Sequence, residues 1–316
     1  MLLATFPLYL ISFVAIWFGA GLIIKSIDTI ARKLKLSTFA ISFFVLGLLT
    51  SIPETAVSFN AISEGNPEIF VGTLLGGVVV IFLFIIPILA ILGKGITINT
   101  QISRRNLLTA LAVIAAPSFM VIDQRVTNFE GLLLIIFYLI LFYIIQRKHG
   151  IFETRESQVL SLKAYSFIDL IKVALGIGIV FISSDYIVDQ TITYSQVFNI
   201  PAYYISLIVL SLGTNLPELS LAVRAILSGK KDIAFGDYLG SASANTLLFG
   251  FFTLLNDGEV LTVNGFLVTF LFIAAGLGLF YYFAKSGRNI STREGKILLG
   301  LYIVFVAYEL GKEVIA

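Results

Sequence analysis

Thr50-Ser51-Ile52-Pro53-Glu54 and Thr214-Asn215-Leu216-Pro217-Glu218 are two versions of one pentapeptide, each set inside a long apolar stretch. Pro53-Glu54 falls on Pro217-Glu218 at an offset of 164 residues, and the same offset carries Gly65 to Gly229, Gly72 to Gly236 and Gly76 to Gly240. Apolar segments match one another easily by chance, but Pro, Glu and Gly are scarce in such segments. Five matches without a gap therefore point to an internal repeat, and its period decides how the rest of the chain is read.

Around these motifs the composition is that of a membrane protein. Hydrophobic residues make up 58% of the 316 and charged residues 13%, with a mean hydropathy of +0.99. A soluble domain carries roughly 25% charged residues. Apolar runs long enough to cross a hydrocarbon core, which takes about 20 helical residues, recur near 7–24, 38–62, 69–92, 107–122, 130–146, 168–187, 201–227, 233–255, 261–284 and 296–312. The segment 107–122 is the weakest of them. Runs such as Ile81 to Ile91 lack the alternation of a transmembrane strand, so the spans are helical. The first run lacks a basic leader and a small-residue cleavage site and is read as a span, not a signal peptide.

Lys and Arg sort by loop under this count. The odd-numbered loops hold nearly all of them, for instance Arg32, Lys33 and Lys35, or Arg104 and Arg105, while only Arg125 and Lys312 fall on the opposite side. By the positive-inside rule both termini lie outside. The longest polar stretch, near 146–167, divides the chain into two sets of five spans. An odd number per set forces the second copy to insert upside down, as is common in secondary transporters. The expected organisation is thus all-α: a polytopic membrane protein of ten transmembrane helices in two inverted five-helix repeats, residues 1–146 and 168–316, joined by a cytoplasmic loop at 147–167.

Several function classes are excluded or weakened. A net charge of +2 does not suggest a nucleic-acid partner, and the absence of Cys removes disulfides, thiolate metal sites and cysteine nucleophiles. An intramembrane enzyme fits poorly, because no His lies in a span and no pair of mid-span aspartates is present. His149 falls in the central loop and Asp237 near the inner end of a span, both read as solvated or interfacial.

The pentapeptides carry the chemistry. A carboxylate at mid-span costs about 2.5 kcal/mol or more and needs a partner or a cation, and no Lys or Arg lies at the depth of Glu54 or Glu218. Pro53 frees the Leu49 carbonyl and Pro217 that of Gly213, because proline lacks the helical N–H. Thr50, Ser51 and Thr214 either bond back to their own helix or join the oxygen set. Oxygen-only ligands in a flexible arrangement suit Ca2+. Gly72-Thr73-Leu74-Leu75-Gly76-Gly77 and Gly236-Asp237-Tyr238-Leu239-Gly240-Ser241 add small-residue faces suited to close helix packing. Ser241 and Asn245, one turn apart on one face, are placed to point at the glutamates.

These motifs resemble the α-repeats of the calcium/cation antiporter superfamily, whose usual form is G-T-S-x-P-E followed by G-N-x-x-G-S-N, and the likeness covers both repeats and the ten-span layout. The resemblance implies Ca2+ held by Glu54 and Glu218 with backbone oxygens of Thr50 and Thr214. It also implies flanking Na+ sites at Ser51, Asn215 and Ser241, and alternating access with Na+ or H+ as counter-ion. Transported ions, not a cofactor, are what it requires, and the partners it implies are inorganic cations and the bilayer of the cell membrane, with the chain acting as a monomer. The sequence departs from the pattern at several positions. Gly77 stands where the family has a serine, Ile81 where it has an amide, Asn215 for a serine and Leu49 for a glycine, and Asn245 occupies a position that is an acid or an amide. Two acids remain, and their charge balances one Ca2+ or two monovalent ions, which suggests electroneutral exchange. A channel or regulatory relative is the rival reading, because Gly77 and Ile81 thin the ligand set.

Overall fold

The computed structural model describes residues 2–33, 47–97, 103–149, 167–228, 232–256, 259–261, 266–287 and 289–315. The start of the second expected span (38–46), Gly229, Lys230 and Lys231, and most of the central loop (150–166) lie outside the described residues. The chain is an all-α membrane protein. Its helices are α1 (Leu2–Lys33), α2 (Gly47–Thr50), α3 (Ile52–Ser63), α4 (Glu68–Val79), α5 (Ile86–Leu92), α6 (Arg104–Met120), α7 (Asn128–His149) and α8 (Phe167–Phe198). They continue as α9 (Ala202–Ile205), α10 (Ser211–Thr214), α11 (Leu216–Ser228), α12 (Asp232–Leu255), α13 (Phe266–Gly287) and α14 (Thr292–Ile315). His149 is the last residue of a helix, not a loop residue.

Among the described residues six stretches are long and apolar enough to cross a membrane: Thr5–Ile23, Glu68–Leu92, Asn128–Ile145, Ile171–Phe198, Tyr238–Leu255 and Phe266–Lys285. The other expected ranges depart from a continuous apolar helix for identifiable reasons. Range 107–122 becomes a 17-residue helix, α6. In α14 charges at both ends, from Arg293 to Lys296 and from Glu309 onward, flank a shorter apolar middle. The two ranges that carry the pentapeptides are broken. Ser51 (φ −83°, ψ 9°) separates α2 from α3, and Asn215 (φ −86°, ψ 15°) separates α10 from α11. Pro53 and Pro217 each stand second in the helix after the break. In a first turn the missing N–H costs nothing, whereas mid-helix it would, so the proline positions set the breaks.

Two π-helical turns accompany them. Val80–Ile85 links α4 to α5 and precedes Pro87, whose ring cannot continue a regular ladder; Ser206–Leu210 links α9 to α10. Neither turn was legible from hydropathy.

The centre of the molecule is α4 with its π turn and α5, buried from Ile69 through Phe82 on every side. Outside it, α1 and α8 run along one another and meet where Gly19 faces the backbone of Gly176, a Cβ at Gly19 being 2.9 Å from the Gly176 carbonyl oxygen. Likewise α7 meets α12 at Gly131 and Gly250, 3.0 Å by the same measure. Without a hydrophobic force between helices in lipid, such small-residue contacts are what allow close packing. Phe6, Ile11, Phe18, Leu139 and Tyr143 point outward from these outer helices, the apolar face that lipid requires.

Structural details recur at the offset of the sequence motifs. Thr127 and Ser291, 164 residues apart, cap α7 and α14 in the same way. The Thr127 backbone N–H and hydroxyl both donate to Glu130 Oε2 at 2.8 Å, and those of Ser291 to Glu294 Oε2 at 2.7 and 2.8 Å. Each hydroxyl accepts in turn from the glutamate's backbone N–H at 3.3 Å, completing a capping box. Four two-residue strands behave similarly. β1 (Ile96–Thr97) pairs with β4 (Asn289–Ile290), and β2 (Arg125–Val126) pairs with β3 (Val260–Leu261). Under the 164-residue offset β1 corresponds to β3 and β2 to β4, so each ladder joins one part of the chain to the other by an exchanged partner.

Candidate functional site

The broken helices deliver Glu54 and Glu218 to the interior. Each sits in the first turn of the helix after its break, where exposed N–H groups and the helix dipole favour negative charge. Glu54 is 1% exposed and Glu218 fully buried, close enough for their charges to act on one another. The structure brings all eight residues singled out in the sequence into this region: Thr50, Ser51, Glu54, Thr214, Asn215, Glu218, Ser241 and Asn245 are each buried to 2% exposure or less. Thr214 lies beside Glu54 and Thr50 beside Glu218, so the two motifs face each other crosswise.

The hydrogen bonds show which atoms are taken. Asn215 Nδ2 donates to Glu54 Oε1 at 3.0 Å and to the Ser211 carbonyl at 2.9 Å. Those two acceptors fix the amide orientation and turn Asn215 Oδ1 the other way. Ser241 Oγ donates to Glu218 Oε1 at 2.8 Å and lies 3.4 Å from Ser51 Oγ. Asn245 Nδ2 donates to the Leu74 carbonyl at 3.4 Å. The hydroxyls of Thr50 and Ser51 donate to the Gly47 carbonyl at 3.3 and 2.9 Å, and that of Thr214 to Ser211 at 3.5 Å. Back-bonding thus uses their protons and leaves oxygen lone pairs over.

Four oxygens end without any donor: Glu54 Oε2, Glu218 Oε2, Asn215 Oδ1 and Asn245 Oδ1. The two amide oxygens only accept, as do the two carboxyl oxygens when ionised, and no described ion pair involves either glutamate. Leaving a buried polar atom unpaired costs about 1–3 kcal/mol, more when charged. Four such atoms in one buried cluster around two helix breaks form an arrangement that a hard cation would stabilise and that no hydrogen-bond donor has claimed. Oxygen ligands of mixed charge without sulfur or imidazole are the set that suits Ca2+ or Na+ rather than a transition metal.

Gly77 acquires a role from this geometry. A Cβ there would stand 2.7 Å from Asn245 Nδ2 and 3.3 Å from Asn215 Nδ2. The missing side chain of α4 is the space into which the two amides of other helices reach. Gly72 and Gly76 do pack closely: a Cβ on Gly72 would meet the Tyr203 carbonyl oxygen at 2.5 Å, and one on Gly76 would strike Leu207 and Ser211. Ile81 is buried in the π turn. Leu49 is partly buried against the cluster of α1, α3 and α8.

Sequence reading missed two features. Ser58, fully buried one turn beyond Glu54, has a hydroxyl with no partner. Glu309 is a third buried acid, 1% exposed, whose Oε1 accepts from Thr269 at 2.8 Å, with Tyr203 OH 3.5 Å from the same threonine. Its burial against α13 could not be read from α14 alone.

A helical membrane protein with a buried two-carboxylate, all-oxygen cage between broken helices is of the cation-transporter class. The chain belongs to the sodium/calcium exchanger protein family, whose profile matches residues 5–146 and 169–311. Among its relatives are the "Putative antiporter CaxA" of Alkalimonas amylolytica, 27% identical over 98% of both chains. Another is the "Sodium/calcium exchanger MaX1" of Methanosarcina acetivorans, 24% identical over 97% of this chain and 98% of that one. Two solved structures share the fold. The sodium-calcium exchanger NCX_Mj aligns with a TM-score of 0.69 at 22% identity over 97% of this chain and 99% of its own. An H+/Ca2+ exchanger, CAX, aligns with 0.79 at 15% identity over 95% and 80%.

Proposed function

We propose that this family member is a secondary active antiporter that exchanges Ca2+ for Na+ by alternating access, the ion resting at the bilayer midplane between Glu54 and Glu218. The observation that carries the reading is the set of four unpartnered oxygens, two of them carboxylate, in a buried site with no described basic partner. Asn215, Asn245, Ser51, Ser241 and the oxygens of Thr50 and Thr214 complete the coordination. Six to eight oxygens are what Ca2+ takes, and the same oxygens serve Na+ when Ca2+ leaves.

The scaffold is ten transmembrane helices in two inverted repeats, 1–146 and 168–316, with a cytoplasmic link at 147–167 and both termini outside. The paired capping boxes, the exchanged strand ladders and the two-segment profile match support that reading. Inversion lets two carboxylates arrive at one level from opposite sides, each at the head of a half-helix, which is how transporter sites at repeat interfaces are built. The chain works as a monomer in the cell membrane.

H+ as counter-ion is the second reading, favoured by the CAX fold relationship and by the ability of Glu54 and Glu218 to exchange a cation for protons. Ca2+ uptake into proteoliposomes separates the two. Uptake driven by an outward Na+ gradient and indifferent to a protonophore supports Na+ exchange; uptake driven only by a pH gradient replaces Na+ with H+; uptake without either gradient denies antiport. Because two carboxylates balance one Ca2+ or two Na+, the cycle is electroneutral, and a sustained exchange current under voltage clamp would refute that.

A further inference from the structure

Serines and threonines in these helices dispose of their protons in a regular way. On α3 itself Thr55 donates to the Ser51 carbonyl at 2.8 Å and Ser63 to Phe59 at 3.0 Å. Thr73, Ser206 and Ser243 likewise donate four residues back, at 2.8, 2.7 and 2.6 Å. Ser58 breaks the rule. Its hydroxyl is fully buried, the corresponding acceptor is the Glu54 carbonyl, and it bonds neither to that nor to anything else.

Position gives the exception a meaning. Residues four apart share a helix face, so Ser58 Oγ stands one turn from Glu54, whose Oε2 is itself unpartnered. It lies on the side of Glu54 that leads to the end of α3 at Ser63, the end that the positive-inside reading of the sequence puts outside. At the 164-residue offset its counterpart is Ala222, also fully buried. An alanine therefore satisfies the packing at the equivalent place, and the hydroxyl of Ser58 is surplus to the scaffold.

We infer that Ser58 Oγ and Glu54 Oε2 form an outer cation station, taken by Na+ on its way between the external face and the central cage, with no equivalent on the Ala222 side. The inference rests on the antiport reading above. The ion is monovalent because the pair of free oxygens bears a single negative charge, which a divalent ion would leave uncompensated. The consequence is a sided transporter: external Na+ meets a ligand that internal Na+ does not.

The test is Ca2+ efflux and uptake in oriented proteoliposomes, with Na+ half-saturation measured separately at each face for wild type, Ser58→Ala, Ser58→Cys and Ser58→Thr. Loss of one oxygen ligand is expected to raise the external Na+ half-saturation about fivefold in Ser58→Ala and Ser58→Cys. Internal Na+ and Ca2+ half-saturation stay within about twofold, and Ser58→Thr, which keeps the hydroxyl, stays near wild type. An unchanged external value in Ser58→Ala, or an equal rise at both faces, overturns the station while leaving antiport intact. Wild type that shows no Na+ dependence at either face overturns both.

Discussion

The two pentapeptide regions share a frame and differ in what they bring to it. Each has a helix break at the third residue before its glutamate, a proline two residues after the break as the second residue of the new helix, and a carboxylate in the first turn. Yet Glu54 receives its hydrogen bond from Asn215, across from the other pentapeptide, whereas Glu218 receives its own from Ser241, twenty-three residues along the same part of the chain. The part of the chain that carries Glu218 also carries Asn215, Ser241 and Asn245; at the corresponding positions in the part that carries Glu54 stand Ser51, Gly77 and Ile81. The backbone breaks alike in both regions and the side chains differ: the second part of the chain carries most of the polar groups, and Gly77 in the first leaves room for two of them.

The largest effect expected is on the feature common to both regions. Glu54→Gln and Glu218→Gln each remove a buried carboxylate that the proposed cation would balance, a loss of about 3–5 kcal/mol, and each is expected to lower Ca2+ uptake in proteoliposomes by about 100-fold or more. Near-normal uptake by either variant would make the comparison one-sided and leave a single acid in charge.

Smaller effects test the difference in side chains. Ser241→Ala strips Glu218 Oε1 of its donor as well as removing an oxygen from the proposed site, and is expected to weaken Ca2+ half-saturation about tenfold; Ser51→Ala, whose proton goes to its own helix, removes an oxygen alone and is expected to weaken it about threefold. Gly77→Ser, which copies Ser241 into the first region, pushes a Cβ to 2.7 Å from Asn245 Nδ2. Overpacking of that kind costs about 1–3 kcal/mol. Combined with Asn245→Ala it should cost less than the sum of the two single changes. A fully additive double variant would mean that Gly77 and Asn245 do not share the space.

The smallest effect concerns the frame alone. Thr127→Ala and Ser291→Ala each remove one capping box and should lower stability by about 1 kcal/mol, to the same extent, in thermal unfolding in detergent. Marked inequality would show that the two parts of the chain are not equally supported by α7 and α14.

Much of this was legible in the amino acids. The offset of 164 that aligns Pro53-Glu54 with Pro217-Glu218 also aligns the caps and the short strands. Thr127 and Glu130 could have been read as a cap from their spacing. Other features depend on partners distant in sequence. Gly77 reads as the loss of a ligand until Asn245 and Asn215 are seen to occupy its space. Glu309 is buried by a contact with Thr269, forty residues away in sequence. The π turns at Val80–Ile85 and Ser206–Leu210 leave the apolar pattern unchanged, so hydropathy is blind to them. Ser58 differs from a back-bonded serine only in the direction of one hydroxyl, which no pattern of residues records.

Locating the ion tests the account most directly. Crystals grown with Ca2+ should show one cation in contact with both Glu54 and Glu218 at about 2.3–2.6 Å from carboxylate oxygen, with Asn215 Oδ1 or Asn245 Oδ1 completing its shell. A Ca2+ bound elsewhere, or held without one of the two carboxylates, would contradict it.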